Sequence, residues 1–107
     1  MKKFYQKDMK GGWFVGNFKP TAFKTKEVEV CYKIHPRGEK WDSHYHKIAT
    51  EINLVIKGKL LINDQLFQDG EIFIVNPGEV VVPKFLKKCE IVIVKIPSVP
   101  GDKYVTK

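Results

Sequence analysis

The chain of 107 residues predicts an all-β fold, an antiparallel barrel or sandwich. Three observations carry that expectation. Short apolar runs recur from Trp13 to Ile96, and glycine, proline or Asn-Asp signals separate them. No helical period of apolar residues is sustained over a dozen positions. The length suits one domain with a real core.

Residues 1–10 are charged and patternless, so a flexible N-terminal arm is expected there, ahead of a domain over 11–107 with its core at about 28–96. Trp13-Phe14-Val15 is the first apolar run. From Val28 to Ile34, the residues Val28, Val30, Tyr32 and Ile34 alternate with less apolar neighbours, the period of a strand. Glu51 to Ile56, Lys59 to Ile62, Glu71 to Val75, Val80 to Val82 and Glu90 to Ile96 follow. Lys57-Gly58 and Asn63-Asp64 read as hairpin-type turns, and Pro77-Gly78 and Pro83 punctuate the second half. The tail from Pro97 to Lys103 is expected to cross the surface as a loop. Ile52 to Ile56 and Ile91 to Val94 are apolar on both faces. Their outer face needs cover, from N-terminal strands bearing Trp13 and Phe14 or from a second subunit, and a homodimer is expected.

The formal charge is +7, but Arg37 is the only arginine and the lysines are scattered from end to end. Base readout and stacking favour arginine and aromatics in one patch, so no nucleic-acid partner is expected, and the lysines read as a solvated surface. Cys31 and Cys89 do not make a disulfide framework and are expected to pack as small apolar side chains in a reduced, cytoplasmic protein. The basic start lacks the apolar region of a signal peptide, and no run approaches the roughly 20 residues of a membrane span.

The most informative stretch runs from Gly38 to Gly58. His44 and His46 are one residue apart, so on an extended strand they point the same way. Glu51 lies five residues past His46, so a bend must bring the next strand alongside. Glu51, Asn53 and Val55 then share one face with the two histidines. Two neutral imidazoles and a carboxylate suit Fe, Mn, Ni, Co or Zn without selecting sharply among them. Three protein ligands leave positions open for water or substrate.

Gly38-x5-His44-x-His46-x4-Glu51-x6-Gly58 resembles the first conserved motif of the cupin superfamily at every defining position. Gly70, Glu71 and Pro77-Gly78 resemble the start of the second motif, whose histidine falls at Val81 and whose asparagine falls at Phe85. The short stretch from Lys59 to Gln68 between the motifs is similar to that of small bacterial single-domain cupins. The resemblance implies a cupin-type double-stranded β-helix, a jelly-roll barrel of about six to eight strands. It also implies a divalent metal on His44, His46 and Glu51. Water, His35 and Glu79 are the candidates for the position that Val81 leaves unfilled.

Asn53 can hydrogen-bond a ligand inside the barrel, Trp41 can cap its mouth, and Val81 and Phe85 make one pocket wall apolar. Val81 also reads as plain core, Tyr45 as a residue pointing away from the histidines, and His35, next to Pro36, as a surface loop residue. Two function classes remain open. One is a metal-dependent isomerase, lyase or dioxygenase acting on a sugar derivative or organic acid. The other is a non-catalytic small-ligand binder with a degenerate metal site. No side chain presents itself as a general base.

Overall fold

The structure is a computed structural model and describes residues 1–106. Ten strands follow two short 3₁₀ turns, Gln6–Asp8 and Lys10–Gly12. They are β1 (Trp13–Val15), β2 (Glu29–His35), β3 (His44–Tyr45), β4 (Thr50–Lys57) and β5 (Lys59–Ile62). The second half holds β6 (Gln65–Gln68), β7 (Ile72–Val75), β8 (Pro83–Phe85), β9 (Cys89–Ile96) and β10 (Tyr104–Val105). One sheet runs β1-β2-β9-β4-β7, a second β6-β5-β8, and β3 pairs with β10 in a short ribbon. All strand pairs are antiparallel.

Register decides which side chains enter the barrel. Cys31 on β2, Ile93 on β9 and Asn53 on β4 lie in one cross-strand row, and all three are buried. With a side-chain period of two, Glu29, Lys33 and His35 on β2 and Ile91 and Lys95 on β9 share that inner face. Val55, Leu60, Phe85, Cys89 and Ile91 close the core between the two larger sheets. The alternating apolar set of β2, Val30, Tyr32 and Ile34, therefore lies on the outside.

His35 is not a surface loop residue. It ends β2, is 5% exposed, and stacks on Phe85 with ring centroids 4.1 Å apart. A following proline favours the extended backbone a strand already has, so Pro36 terminates the strand without displacing His35. Val80 to Val82 forms no full strand; only Val81 makes a bridge, to His44, and the strand proper begins at Pro83. A first strand residue is a position where proline is tolerated.

Asn63 and Asp64 adopt φ of 50° and 66°, the left-handed pair that a tight hairpin between β5 and β6 requires. Lys57-Gly58, by contrast, is a corner and not a hairpin, because β4 and β5 belong to different sheets. Gly58 has φ of 126°, and a Cβ there would stand 2.6 Å from both the Lys88 carbonyl oxygen and Cys89 Sγ. Gly58→Ala is expected to destabilise the protein by about 2–3 kcal/mol through backbone strain and overpacking. A urea denaturation midpoint equal to that of the wild type would refute this.

β1 pairs with β2 edge to edge, with Trp13 opposite Cys31, so it widens the sheet and does not cover the outer face of β4 and β7. Leu54, Ile56, Ile72 and Ile74 remain exposed there. Near the N-terminus, Gln6 Nε2 donates to the carbonyl oxygens of Gly12 and Tyr32 at 3.0 and 3.1 Å.

Candidate metal centre and its cavity

A cavity of about 260 Å³ opens between the sheets. His44, His46, Glu51, Asn53, Val81, Phe85 and Trp41 all line it. His44 is held on β3 by reciprocal backbone bonds with Val81, at 3.1 and 2.8 Å, and by pairing with Val105 on β10. Val81, the position of the cupin histidine, thus stands directly across from His44.

His44 Nδ1 lies 2.8 Å from the carbonyl oxygen of Asp42, which can only accept. Nδ1 is therefore the protonated nitrogen, and Nε2 keeps its lone pair. His46 is 2% exposed, and its Nδ1 has no hydrogen-bond partner, the nearest carboxylate oxygen being Glu51 Oε2 at 3.4 Å. Asn53 Nδ2 is likewise buried and unpartnered. Buried polar atoms are rarely left in this state without something to meet them. Burial, then Lys103 for His44 and Lys95 for His46, lowers both imidazoles below the usual histidine range, so both are neutral at pH 7. Neutral imidazole is the form that ligates a metal.

The His44 and His46 rings meet edge to face, with centroids 5.7 Å apart. Among the described residues, no three His, Cys, Asp or Glu side chains close into a cluster around one point. The donor types, the free His44 Nε2 and the orphaned His46 Nδ1 fit a metal.

The bend between His46 and Glu51 has its own clamp. Asp102, 5% exposed, accepts the backbone N–H groups of Lys47, Ile48 and Ala49 at 3.0, 3.0 and 2.9 Å. Desolvation would raise its carboxyl, but these three donors and nearby His46 hold it below the usual carboxylate range. The tail is a loop, but one tied down by Asp102 and by Ser98, whose Oγ donates to Glu29 at 2.8 Å.

Several site residues escape sequence reading. Lys33, Lys95, Lys103 and Trp13 also line the cavity, as does His35, one of the candidates for the unfilled position. The period of two in Ile91, Ile93 and Lys95, and in Cys31, Lys33 and His35, carries that information once one inward residue is known; Lys103 has no comparable signal. His35 Nδ1 bonds Glu39 at 2.6 Å, and Glu39 also accepts Trp41 Nε1–H. Burial lowers the His35 imidazole, against the pull of Glu39. Glu79 is exposed in a turn and accepts the Asn76 N–H at 3.1 Å, away from the cavity. Tyr45 stacks on Tyr104, with centroids 5.4 Å apart, outside it. Both cysteines are buried, and desolvation pushes the Cys31 thiol up to about 11 and raises that of Cys89. No helix among the described residues is long and apolar enough to cross a membrane.

No protein-family model matches the chain, and no curated protein matches it. Solved structures do. A conserved protein with a double-stranded β-helix domain from Klebsiella pneumoniae is 22% identical, with TM-score 0.69 over 77% of this chain and 72% of its own. The DMSP lyase DddQ from Ruegeria pomeroyi is 12% identical with TM-score 0.72; 88% of this chain matches 49% of it. A cupin-2 domain containing protein from Shewanella frigidimarina is 20% identical, with TM-score 0.57 over 67% of this chain and 72% of its own. At these identities the likeness speaks to architecture.

Proposed function

We propose that this chain, which has the double-stranded β-helix fold of the cupins, holds one divalent metal through His44, His46 and Glu51 and binds or acts on a small molecule beside it. The observation that carries the reading is His46 Nδ1, buried, unpartnered and 3.4 Å from Glu51 Oε2 inside a cavity. A bound ion would supply a Lewis acid for a ligand carbonyl or hydroxyl. The chain's own groups do the rest. The Asp42 carbonyl fixes the tautomer and orientation of His44, Asp102 holds the bend that sets His46 against Glu51, and Asn53 Nδ2 offers a hydrogen bond to a ligand oxygen. Val81, Phe85 and Phe73 exclude water from the wall. Fe, Mn, Ni, Co and Zn all suit the donors, and a sugar derivative or organic acid suits the cavity. The protein is read as cytoplasmic.

Turnover of the isomerase, lyase or dioxygenase kind rests on fold-level analogy with structural neighbours such as the DMSP lyase above. The second reading is a binder without chemistry, and Val81 favours it, because an apolar residue faces His44 where the cupin pattern has a fourth ligand. Metal analysis tests the centre. After loading with Ni, Mn, Fe(II) or Zn, the wild type is expected to retain stoichiometric metal, and His44→Ala and Glu51→Ala are expected to lose it while keeping their circular dichroism. A wild type that retains none after loading sinks the reading.

The chain is also read as a homodimer. The outer face of β4 and β7 presents Leu54, Ile56, Ile72 and Ile74 to solvent, and no charged residue interrupts these positions. On a molecule of charge +7, a charge-free apolar face is where a second copy can approach without repulsion.

A further inference from the structure

Three lysines meet at the mouth of the cavity from separate parts of the chain. Lys33 comes from β2, Lys95 from β9 and Lys103 from the loop that Asp102 pins. Their ammonium groups sit over the same two rings. Lys33 Nζ is 5.7 Å from the centroid of Trp13 and 5.1 Å from that of Trp41; Lys95 Nζ is 4.9 Å from Trp13, and Lys103 Nζ is 4.1 Å from Trp41. A tryptophan face satisfies part of an ammonium's need for a partner. It does not offset the repulsion among three of them.

The carboxylates nearby are engaged elsewhere. Glu29 accepts from Ser98, Glu39 from His35 and Trp41, and Glu51 turns to His46. Among the described residues, none of the three ammonium groups has a carboxylate at ion-pair distance. The charged groups lining the cavity are these three lysines against Glu51 alone, an excess of two positive charges before any metal is counted. Deeper in, the lining turns apolar with Leu60, Ile62, Phe73 and Phe85. Opposite charge at such a site is attracted and held by charge-assisted hydrogen bonds.

We propose that the ligand of this cavity is a small organic carboxylate, its anionic end held by Lys33, Lys95 and Lys103 between Trp13 and Trp41 and its hydrocarbon end lying against the apolar wall. This rests on the reading of the cavity as a small-molecule site and narrows the substrate class from sugars or acids to acids. It gives function to three residues outside the metal-ligand set.

Trp13 and Trp41 are the only two tryptophans, so intrinsic fluorescence reports the mouth directly. Benzoate and the isosteric neutral benzamide are suitable probes, titrated into the metal-loaded wild type. Benzoate is expected to give a saturable fluorescence change that weakens with added salt, and benzamide to bind at least about tenfold more weakly. Lys33→Gln, Lys95→Gln and Lys103→Gln remove the charge and keep a polar side chain; each is expected to weaken benzoate roughly tenfold and leave benzamide unchanged. Metal content and thermal melting of the three variants should match the wild type. Equal binding of benzoate and benzamide would overturn the anion assignment and leave the small-molecule reading standing. Benzoate affinity untouched by all three substitutions would overturn the lysines' role. No saturable response to either probe would overturn the anion assignment as well, and the metal content would then tell whether the centre survives without it.

Discussion

Asp102→Ala is expected to destabilise the protein by about 2–4 kcal/mol, the largest single-residue effect outside the core. The substitution strips the acceptor from three backbone N–H groups at once, and the hydrogen bonds lost are charge-assisted ones at a site 5% exposed. The damage is local as well as global, because the freed segment, Lys47 to Ala49, is the bend between His46 and Glu51. Asp102→Asn keeps one side-chain oxygen and should fall between the two. The pH dependence has a definite sign. The folded carboxyl titrates below its unfolded value of about 3.9, so its stabilisation is fully present above that pH and is lost as pH falls through the folded value. The gap in urea stability between wild type and Asp102→Ala should thus be constant from pH 8 to pH 5 and shrink below about pH 4. A gap that does not narrow at all as pH falls below about 4, or none at pH 7, would refute the clamp.

The second large effect concerns assembly. Ile72 and Ile74 are 62% and 55% exposed on an edge strand whose outer face continues into Leu54 and Ile56 of β4. In a symmetric dimer each substitution counts twice. Converting Ile72 and Ile74 together to lysine removes about 1.5–3 kcal/mol of burial per isoleucine and adds like charges face to face. The dissociation constant is expected to rise by at least about three orders of magnitude. Light scattering at micromolar concentration should show a dimeric wild type and a monomeric variant with unchanged circular dichroism. A monomeric wild type would overturn the assembly.

The sequence made the strands legible and left their orientation hidden. Turn residues and apolar runs mark the strands because backbone chemistry is local: Asn63-Asp64 suits a left-handed pair wherever it occurs. Which face looks inward is a property of the neighbours. Val30, Tyr32 and Ile34 look like a core stripe, yet the barrel takes Glu29, Lys33 and His35, because the register with β9 puts Cys31 opposite Ile93. Gly58 has the same local signature in a hairpin and in a corner, and only the sheet assignment of β5 separates the two. In the site, the motif brings His44, His46, Glu51 and Asn53 to one cavity, because spacing on extended chain dictates direction. The basic mouth was invisible for the opposite reason. Its lysines lie 62 and 8 residues apart in sequence, and no window holds all three.

The clamp also orders events in time. Asp102 bonds Lys47, Ile48 and Ala49 across 55, 54 and 53 residues of chain, and β10 closes on β3 from the same distant segment. On a ribosome adding about 5–20 residues per second, His44 and Glu51 wait roughly 3–11 s for the residues that lock their bend. During that interval the strands from β5 to β9 are still being added and the cavity is unfinished. Until Asp102 is in place the three N–H groups of the bend have no acceptor, so the approach of His46 to Glu51 is among the last features of the cavity to be fixed.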